Sequence, residues 1–529
     1  MSSIVTGRPR PPGGLDTRGA GWLTLTALMP DLAVDNAVSV FVEQPLAEGL
    51  ATRRALVTPD GPCRYGELAA FTDRAGLALR ALGVEAEQRV ALLMPDSVAF
   101  AATFFGALKL GAVAVPLNTR LPGATLRFIL DDCRAKVVIT DRALAAALGE
   151  PGRARVLTFE ELMQRSAPGP LVAEPVGGDA MAFWLYTSGT TGTPKAAMHC
   201  HRNLLACHHY ANGVLRVSAE DRVFSTSKLF FAYALGNALA IPLFARATTY
   251  LHHAWADPSM VHDVLRGYRP TLFFSVPTVY SHLLRADLPP EAFRSVRQCI
   301  SAGEKLPAEI HQAWRERFGV EILDAIGATE TIFMFVTNRP GQSRAGCSGT
   351  PSPGVEVRVL DPQGQPVPDG TQGVLWVKTP SAAMGYWKRL DHTRRTFVGD
   401  WFRTGDVYVR DADGFFTHCG REDDFFKVAG QWVVPADVEA VMLKHPAVLE
   451  AAVVGAEEAS GLVKTFVFVV PRNGNMDEKG LIDELRRLAE TSLPPHQRPR
   501  EIRVVRELPR TDTGKLQRFR LKEQAEAHR

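Results

Sequence analysis

The chain is short of the features that would restrict it early. Its 529 residues hold only seven cysteines, Cys63, Cys133, Cys200, Cys207, Cys299, Cys347 and Cys419, and no CxxC pair. An odd, scattered set of this kind excludes a disulfide scaffold and predicts reduced thiols in a cytoplasmic protein. An excess of one charge is missing too: 60 basic residues face 57 acidic ones, for a net +3. That balance argues against a dedicated nucleic-acid binder and leaves room for a local basic groove. The longest apolar segment, Val98 to Val115, is interrupted by Lys109 and Gly111. It reads as a core helix running into a strand that Pro116 ends, so no membrane span is expected. Low complexity is confined to Met1 to Gly21, rich in Pro, Gly and Arg and without an apolar h-region. This stretch reads as a disordered or loosely attached extension and not as a signal peptide. The end, Ala527-His528-Arg529, is not a peroxisomal address. One cluster has metal-like composition, Cys200-His201 with Cys207-His208-His209. On a helix predicted from Asn203 to Val214 it reads as packing and surface groups rather than zinc ligands.

What is present is length and alternation. The chain is too long for one ordinary domain. Helix-like Glu67 to Leu82, strand-like Arg89 to Leu93, helix-like Ala99 to Leu110 and strand-like Lys136 to Thr140 predict α/β layers with mainly parallel strands. Strand-like Thr271 to Val276 and Ile322 to Ile326 extend the pattern. After about residue 350 short strands and turns take over, Val355 to Val359 and then Gly373 to Lys378. They predict a small β-barrel or antiparallel subdomain. A compact α+β unit follows Gly420. The expected division is an extension over 1–21, a large α/β domain over 22–420 and a smaller α+β domain over 421–529.

One stretch carries most of the chemistry. Thr187-Ser188-Gly189-Thr190-Thr191-Gly192, followed by Thr193-Pro194-Lys195, interleaves hydroxyls with glycines and ends on a cation. It follows the apolar run Met181 to Leu185, which reads as a buried strand. Glycines let backbone N–H groups converge on an anion, so the composition fits a polyphosphate cradle as well as an ordinary flexible loop. It is not a P-loop, because Lys195 precedes Ala196 where that motif needs Ser or Thr.

Four further stretches lie downstream: Ser301-Ala302-Gly303-Glu304, Asp324-Ala325-Ile326-Gly327-Ala328-Thr329-Glu330, Trp401 to Asp406 with Gly420 to Gly430, and Pro509 to Arg518 around Lys515. Taken singly they read as turns, a surface acid, a charged linker and a solvated lysine. Together, in this order, the set resembles the adenylate-forming superfamily of acyl-CoA synthetases, adenylation domains and luciferases, from about Val38 to Lys522.

That resemblance implies ATP-dependent activation of a carboxylate, with ATP, Mg²⁺ and coenzyme A as co-substrates. It assigns nucleotide contacts to the phosphate loop and Lys195, to Gly303 and Glu304 against adenine, and to Asp324. Thr329 is assigned to a phosphate oxygen and Glu330 to Mg²⁺. Asp406 is assigned to the ribose diol, Arg421 to ribose or phosphate, Asp423 to a hinge, and Gly430 and Trp432 to a pantetheine tunnel. Lys515 is assigned to the α-phosphate, so that Lys515, Thr329 and Glu330 form the catalytic set.

Lys228-Leu229-Phe230-Phe231-Ala232-Tyr233-Ala234-Leu235-Gly236-Asn237 is similar to a stretch of benzoate-type CoA ligases. It lacks the aspartate that would pair a substrate amino group, which disfavours an α-amino acid. Phe231, Ala232, Tyr233, Gly327, Phe333 and Met334 are expected to line a slot for a flat ring. Phe333 stands where the resembling ligases carry histidine, which makes the slot more apolar. The acid expected is benzoate or a lightly substituted benzoate, with an alicyclic, aryl-alkanoic or medium-chain acid as competitor. The expected acceptor is free coenzyme A, and a separate carrier protein is the alternative. A non-catalytic nucleotide- or acyl-binding homologue is the reading from another class. No nucleic acid or membrane partner is expected, and the chain is expected to act as a monomer or homodimer.

Overall fold

A computed structural model describes residues 35–149, 152–188, 193–458, 461–472, 477–510 and 516–527. The whole of the expected N-terminal extension (1–21), four residues of the phosphate loop (189–192) and Lys515 therefore lie outside the described residues.

Strands rich in β-branched and aliphatic residues are buried along their whole length, the pattern of parallel strands covered on both faces. Val113–Pro116, Val137–Thr140, Leu272–Ser275 and Gln298–Ser301 are examples. Among the described residues these strands build two large sheets, of seven and nine strands. The seven-stranded sheet has parallel strands at its centre and an antiparallel flank made of Met181–Ser188, Pro194–Cys200 and Gly385–Tyr386. The nine-stranded sheet is parallel through Thr248–Tyr250, Arg222–Ser225, Leu272–Ser275, Gln298–Ser301 and Ile322–Gly327, then turns antiparallel at Met334–Thr337. Five antiparallel strands between Glu356 and Arg421 form a third sheet, as the change of texture after residue 350 predicts. Beyond it lie the hairpin Phe426–Val428 with Gln431–Val433 and a three-stranded sheet packed by the helices Pro435–Met442 and Glu478–Ser492.

The helix Tyr65–Ala81 crosses Val98–Lys109 glycine to glycine. A Cβ on Gly106 would stand 2.9 Å from Gly76 N and 2.9 Å from Thr72 O, so the two backbones touch where no side chain fits. The helix expected from Asn203 to Val214 forms as consecutive helical pieces, His201–Leu205, Cys207–Tyr210 and the π-helical Ala211–Leu215, with a step at Ala206. The cause is local. The His208 ring takes the Leu205 carbonyl at 2.9 Å, and the His209 N–H shifts back to Ala206 O at 3.2 Å. The His201 ring accepts from Ala37 N at 3.1 Å, and His209 packs on Gly354, so these histidines serve structure. Among the described residues no helix is long and apolar enough to cross a membrane.

Gly106→Ala is expected to lower stability by about 1–3 kcal/mol, because the clash is with backbone and outweighs the helix preference of about 1 kcal/mol for alanine over glycine. Denaturant titration of the two proteins measures it.

Candidate active site

The seven- and nine-stranded sheets meet at one turn. The strand Ile322–Gly327 delivers Ala328, Thr329 and Glu330 to the carboxyl end of the nine-stranded sheet, where α/β proteins gather ligands. The antiparallel flank of the other sheet grips this turn at three points. His199 Nε2 lies 2.8 Å from the Thr329 carbonyl. The Ala383 N–H donates to the Glu330 carbonyl at 2.7 Å. The Tyr386 hydroxyl donates to Glu330 Oε1 at 2.6 Å.

His199 is fully buried and stacked on Phe183, with ring centroids 4.7 Å apart and planes within 3°. Burial pulls its pKa down to about 4, so the ring is neutral near pH 7. A carbonyl only accepts, which assigns the ring hydrogen to Nε2. Lys195 enters from the strand Pro194–Cys200 and sets its ammonium 4.9 Å above the Tyr386 ring. Burial lowers the Lys195 pKa, opposed by Glu330 and Asp423. Thr187 pairs with Lys195 across the hairpin, and Ser188 ends its strand. Gly189, Thr190, Thr191 and Gly192 lie outside the described residues.

Along the same carboxyl edge, two acids are left with orphan oxygens. Asp324 pairs in register with Ser301 on the neighbouring strand. Its Oδ1 is buried without a partner among the described residues, and burial holds its carboxyl well above the usual carboxylate range. Glu304 follows Gly303, whose φ of +91° makes the tight turn. Thr278 donates to Glu304 Oε2 at 2.8 Å, while Oε1 is buried and unpaired among the described residues, and burial raises its pKa.

Asp406 and Arg421 face each other across two antiparallel strands. Arg421 Nη1 reaches both Asp406 oxygens at 3.2 Å, and His418 Nε2 approaches Oδ1 at 3.4 Å. Asp423 sits just beyond, in the short turn Glu422–Asp424. Gly430, with Ala429, turns a two-residue hairpin in which both residues have positive φ. Trp432 on that hairpin is 59% exposed, with the Lys427 ammonium 4.6 Å above its ring.

The expected acid slot is built around Tyr233. Its hydroxyl shares one hydrogen between the carbonyls of Ser275 (3.1 Å) and Ile300 (3.0 Å), which fixes the ring at the strand ends. Phe231 and Tyr233 are half-buried and Ala232 is buried. Lys228 anchors the segment by donating to His252 O and Ala254 O at 2.6 and 2.5 Å. Asp96, its pKa raised by burial to about 6, takes the Leu229 N–H at 2.9 Å. Phe333 and Met334 are buried in the main core cluster. A Cβ on Gly236 would meet the Phe333 ring at 3.0 Å, and one on Gly327 would meet Phe333 O at 2.9 Å. Ile332 between them has φ +53°, an outlier for a β-branched residue. A separate cleft of about 680 Å³, lined by Arg54, Arg222, Tyr250, His252, Asp257 and Tyr268 among others, contains none of the expected site residues.

Family models decide what this arrangement belongs to. The model of AMP-binding enzymes matches residues 45–387, and that of the AMP-binding enzyme C-terminal domain matches 437–515. The chain belongs to the AMP-binding enzyme family. A 4-hydroxybenzoate–CoA/benzoate–CoA ligase of Rhodopseudomonas palustris is 40% identical to it, over 92% of this chain and 94% of that one. A solved benzoate CoA ligase from Burkholderia xenovorans LB400 superimposes with a TM-score of 0.85 at 40% identity, covering 92% of this chain and 99% of that one. The anthranilate CoA ligase AuaEII, solved with anthranoyl-AMP, gives 0.87 at 35% identity, covering 95% and 99%.

Two residues at the centre of the site went unnoticed in the sequence, His199 and Tyr386. A histidine immediately before Cys200 and a Gly-Tyr pair on a two-residue strand carry no local signal, since their partners lie 130 and 56 residues away.

His199 and His201, both near pKa 4, and half-buried His209, also near 4, bind fewer protons folded than unfolded. Stability from them is intact above about pH 6.5 and falls away as pH drops towards 4, with Asp96 opposing below about 6. Melting temperature should therefore fall from pH 7.5 to 5. His201→Gln, which keeps an acceptor for Ala37 N–H, should flatten that slope.

Proposed function

We propose that this protein is an AMP-forming acid–thiol ligase that activates benzoate or a lightly substituted benzoate and transfers the acyl group to coenzyme A. What carries the reading is the meeting of Lys195 and Glu330 on one tyrosine at the carboxyl edge of the sheet, in a chain alike to aryl-CoA ligases over nine-tenths of its length. The ring slot supports an aromatic acid: its one phenol, that of Tyr233, is spent on backbone carbonyls.

In the first half-reaction a carboxylate oxygen attacks the α-phosphorus of ATP, and pyrophosphate leaves. The loop 187–192 and Lys195 hold the phosphates, and Thr329 hydrogen-bonds one of them. The unpaired oxygens of Asp324 and Glu304 suit a ring that presents N–H donors, as adenine does. Asp406, steadied by Arg421, accepts from the ribose diol. The described residues hold no cluster of three metal-ligating side chains. Glu330 alone fits a cation that arrives on the triphosphate and keeps water ligands, as Mg²⁺ does. Bound there, Mg²⁺ supplies positive charge against the phosphate oxygens. Lys515 acts as the cation at the α-phosphate, where charge builds on the five-coordinate phosphorus.

In the second half-reaction the thiol sulfur attacks the acyl carbon and AMP leaves. The domain of residues 421–529 turns about Asp423 against that of residues 22–420, withdrawing Lys515. Gly430 and Trp432 then border the pantetheine path. The chain works as a cytoplasmic monomer or homodimer.

Pyrophosphate release with Mg·ATP should be greatest with benzoates and should multiply when coenzyme A is added. Activity confined to cyclohexanecarboxylate, phenylacetate or hexanoate would replace the aromatic assignment. Lys515→Ala should slow adenylation about 10²- to 10³-fold and spare thioester formation from synthetic benzoyl-AMP. Equal loss in both half-reactions would remove Lys515 from its role.

A further inference from the structure

Tyr386 touches both groups that meet the triphosphate, and by different parts of one ring. Its hydroxyl donates to Glu330 Oε1 at 2.6 Å, and its face lies 4.9 Å below the Lys195 ammonium. No described residue bonds the other oxygen of Glu330. The ring is held firmly. The Tyr386 main-chain N–H donates to Thr393 Oγ1 at 2.9 Å, and Phe397 meets the ring edge-on at 5.6 Å. Tyr386 pairs with Ala197 on the strand that carries Lys195, so phenol and ammonium share one backbone frame.

We infer that Tyr386 is a positioning residue that presets the metal-binding carboxylate and the phosphate-binding lysine together. The inference rests on the proposed roles of Glu330 and Lys195. A hydroxyl bonded to a carboxylate is a charge-assisted contact that limits its rotation, so the free oxygen of Glu330 points one way before substrate arrives. Outer partners of metal-binding groups are typically worth 10- to 100-fold in metal affinity. The cation over the ring face offsets part of what Lys195 loses by burial. The main chain of the turn is already fixed by Ala383 and His199, so the side-chain angle of Glu330 is what remains for Tyr386 to set. A purely packing role in the small cluster with Ala197 and Ala383 would need the ring and not the oxygen.

Two variants of the full chain separate the two halves of the ring. Tyr386→Phe keeps the face and removes the hydroxyl; Tyr386→Leu removes both. The readout is calorimetric binding of a non-hydrolysable ATP analogue, in EDTA and over a Mg²⁺ titration. With Tyr386→Phe the Mg²⁺ needed for half-maximal enhancement should rise about 10-fold or more, while binding in EDTA stays close to wild type. With Tyr386→Leu binding in EDTA should weaken too, by about 2- to 30-fold. Wild-type Mg²⁺ dependence in Tyr386→Phe, with a wild-type melting temperature, overturns the inference. Glu330→Gln is the control: should it leave the Mg²⁺ dependence intact, the metal role of Glu330 fails, and the inference falls with it for that separate reason.

Discussion

The site depends on a seam between two sheets. Thr329 and Glu330 are delivered by one sheet, but their position is set by the other, through His199, Ala383 and Tyr386. Neither sheet alone brings the Lys195 ammonium and the Glu330 carboxylate to one ring. A hydrogen bond to a buried neutral imidazole is directional and does not depend on charge. That makes His199 a suitable spacer between layers whose separation must stay constant while a charged ligand comes and goes.

Burial gives the same site its chemical bias. Asp324, inside one strand, and Glu304, just beyond the end of the adjacent one, each keep one oxygen that finds no donor among the described residues, and burial raises the pKa of both. Unpaired polar atoms of this kind are unfavourable in an empty fold and become satisfied when a partner with N–H groups arrives. Asp406 differs, because the Arg421 guanidinium faces its carboxylate. Buried acids with an unpaired oxygen and an acid paired to an arginine are thus set apart by their surroundings.

Most of the fold was legible because parallel strands announce themselves as short apolar runs between helices. Val113–Pro116 and Ile322–Gly327 fall where the runs predict. The phosphate loop, the Thr-Glu pair and the Asp-to-Arg stretch were legible as motifs, since their residue types sit close in sequence. Tyr386 and His199 were not, because their meaning arises only when distant strands come into contact. The segment from His201 to Leu215 is helical, as its apolar spacing predicts. The step at Ala206 was not legible, because it comes with a histidine ring that takes the Leu205 carbonyl.

Ile332 adds a further consequence. It holds a left-handed backbone conformation beside the ring slot, flanked by Thr331, whose hydroxyl ties the turn to Ala328, and by Phe333, which presses on Gly236. Such a conformation is unfavourable by about 1–3 kcal/mol and persists only because its surroundings dictate it. The contour of this turn is thus a property of the main chain and not of the side chains beside it. Change of diet during evolution would proceed by exchanging side chains on a fixed wall, with the glycine at 236 as the gauge of how large a neighbour that wall admits.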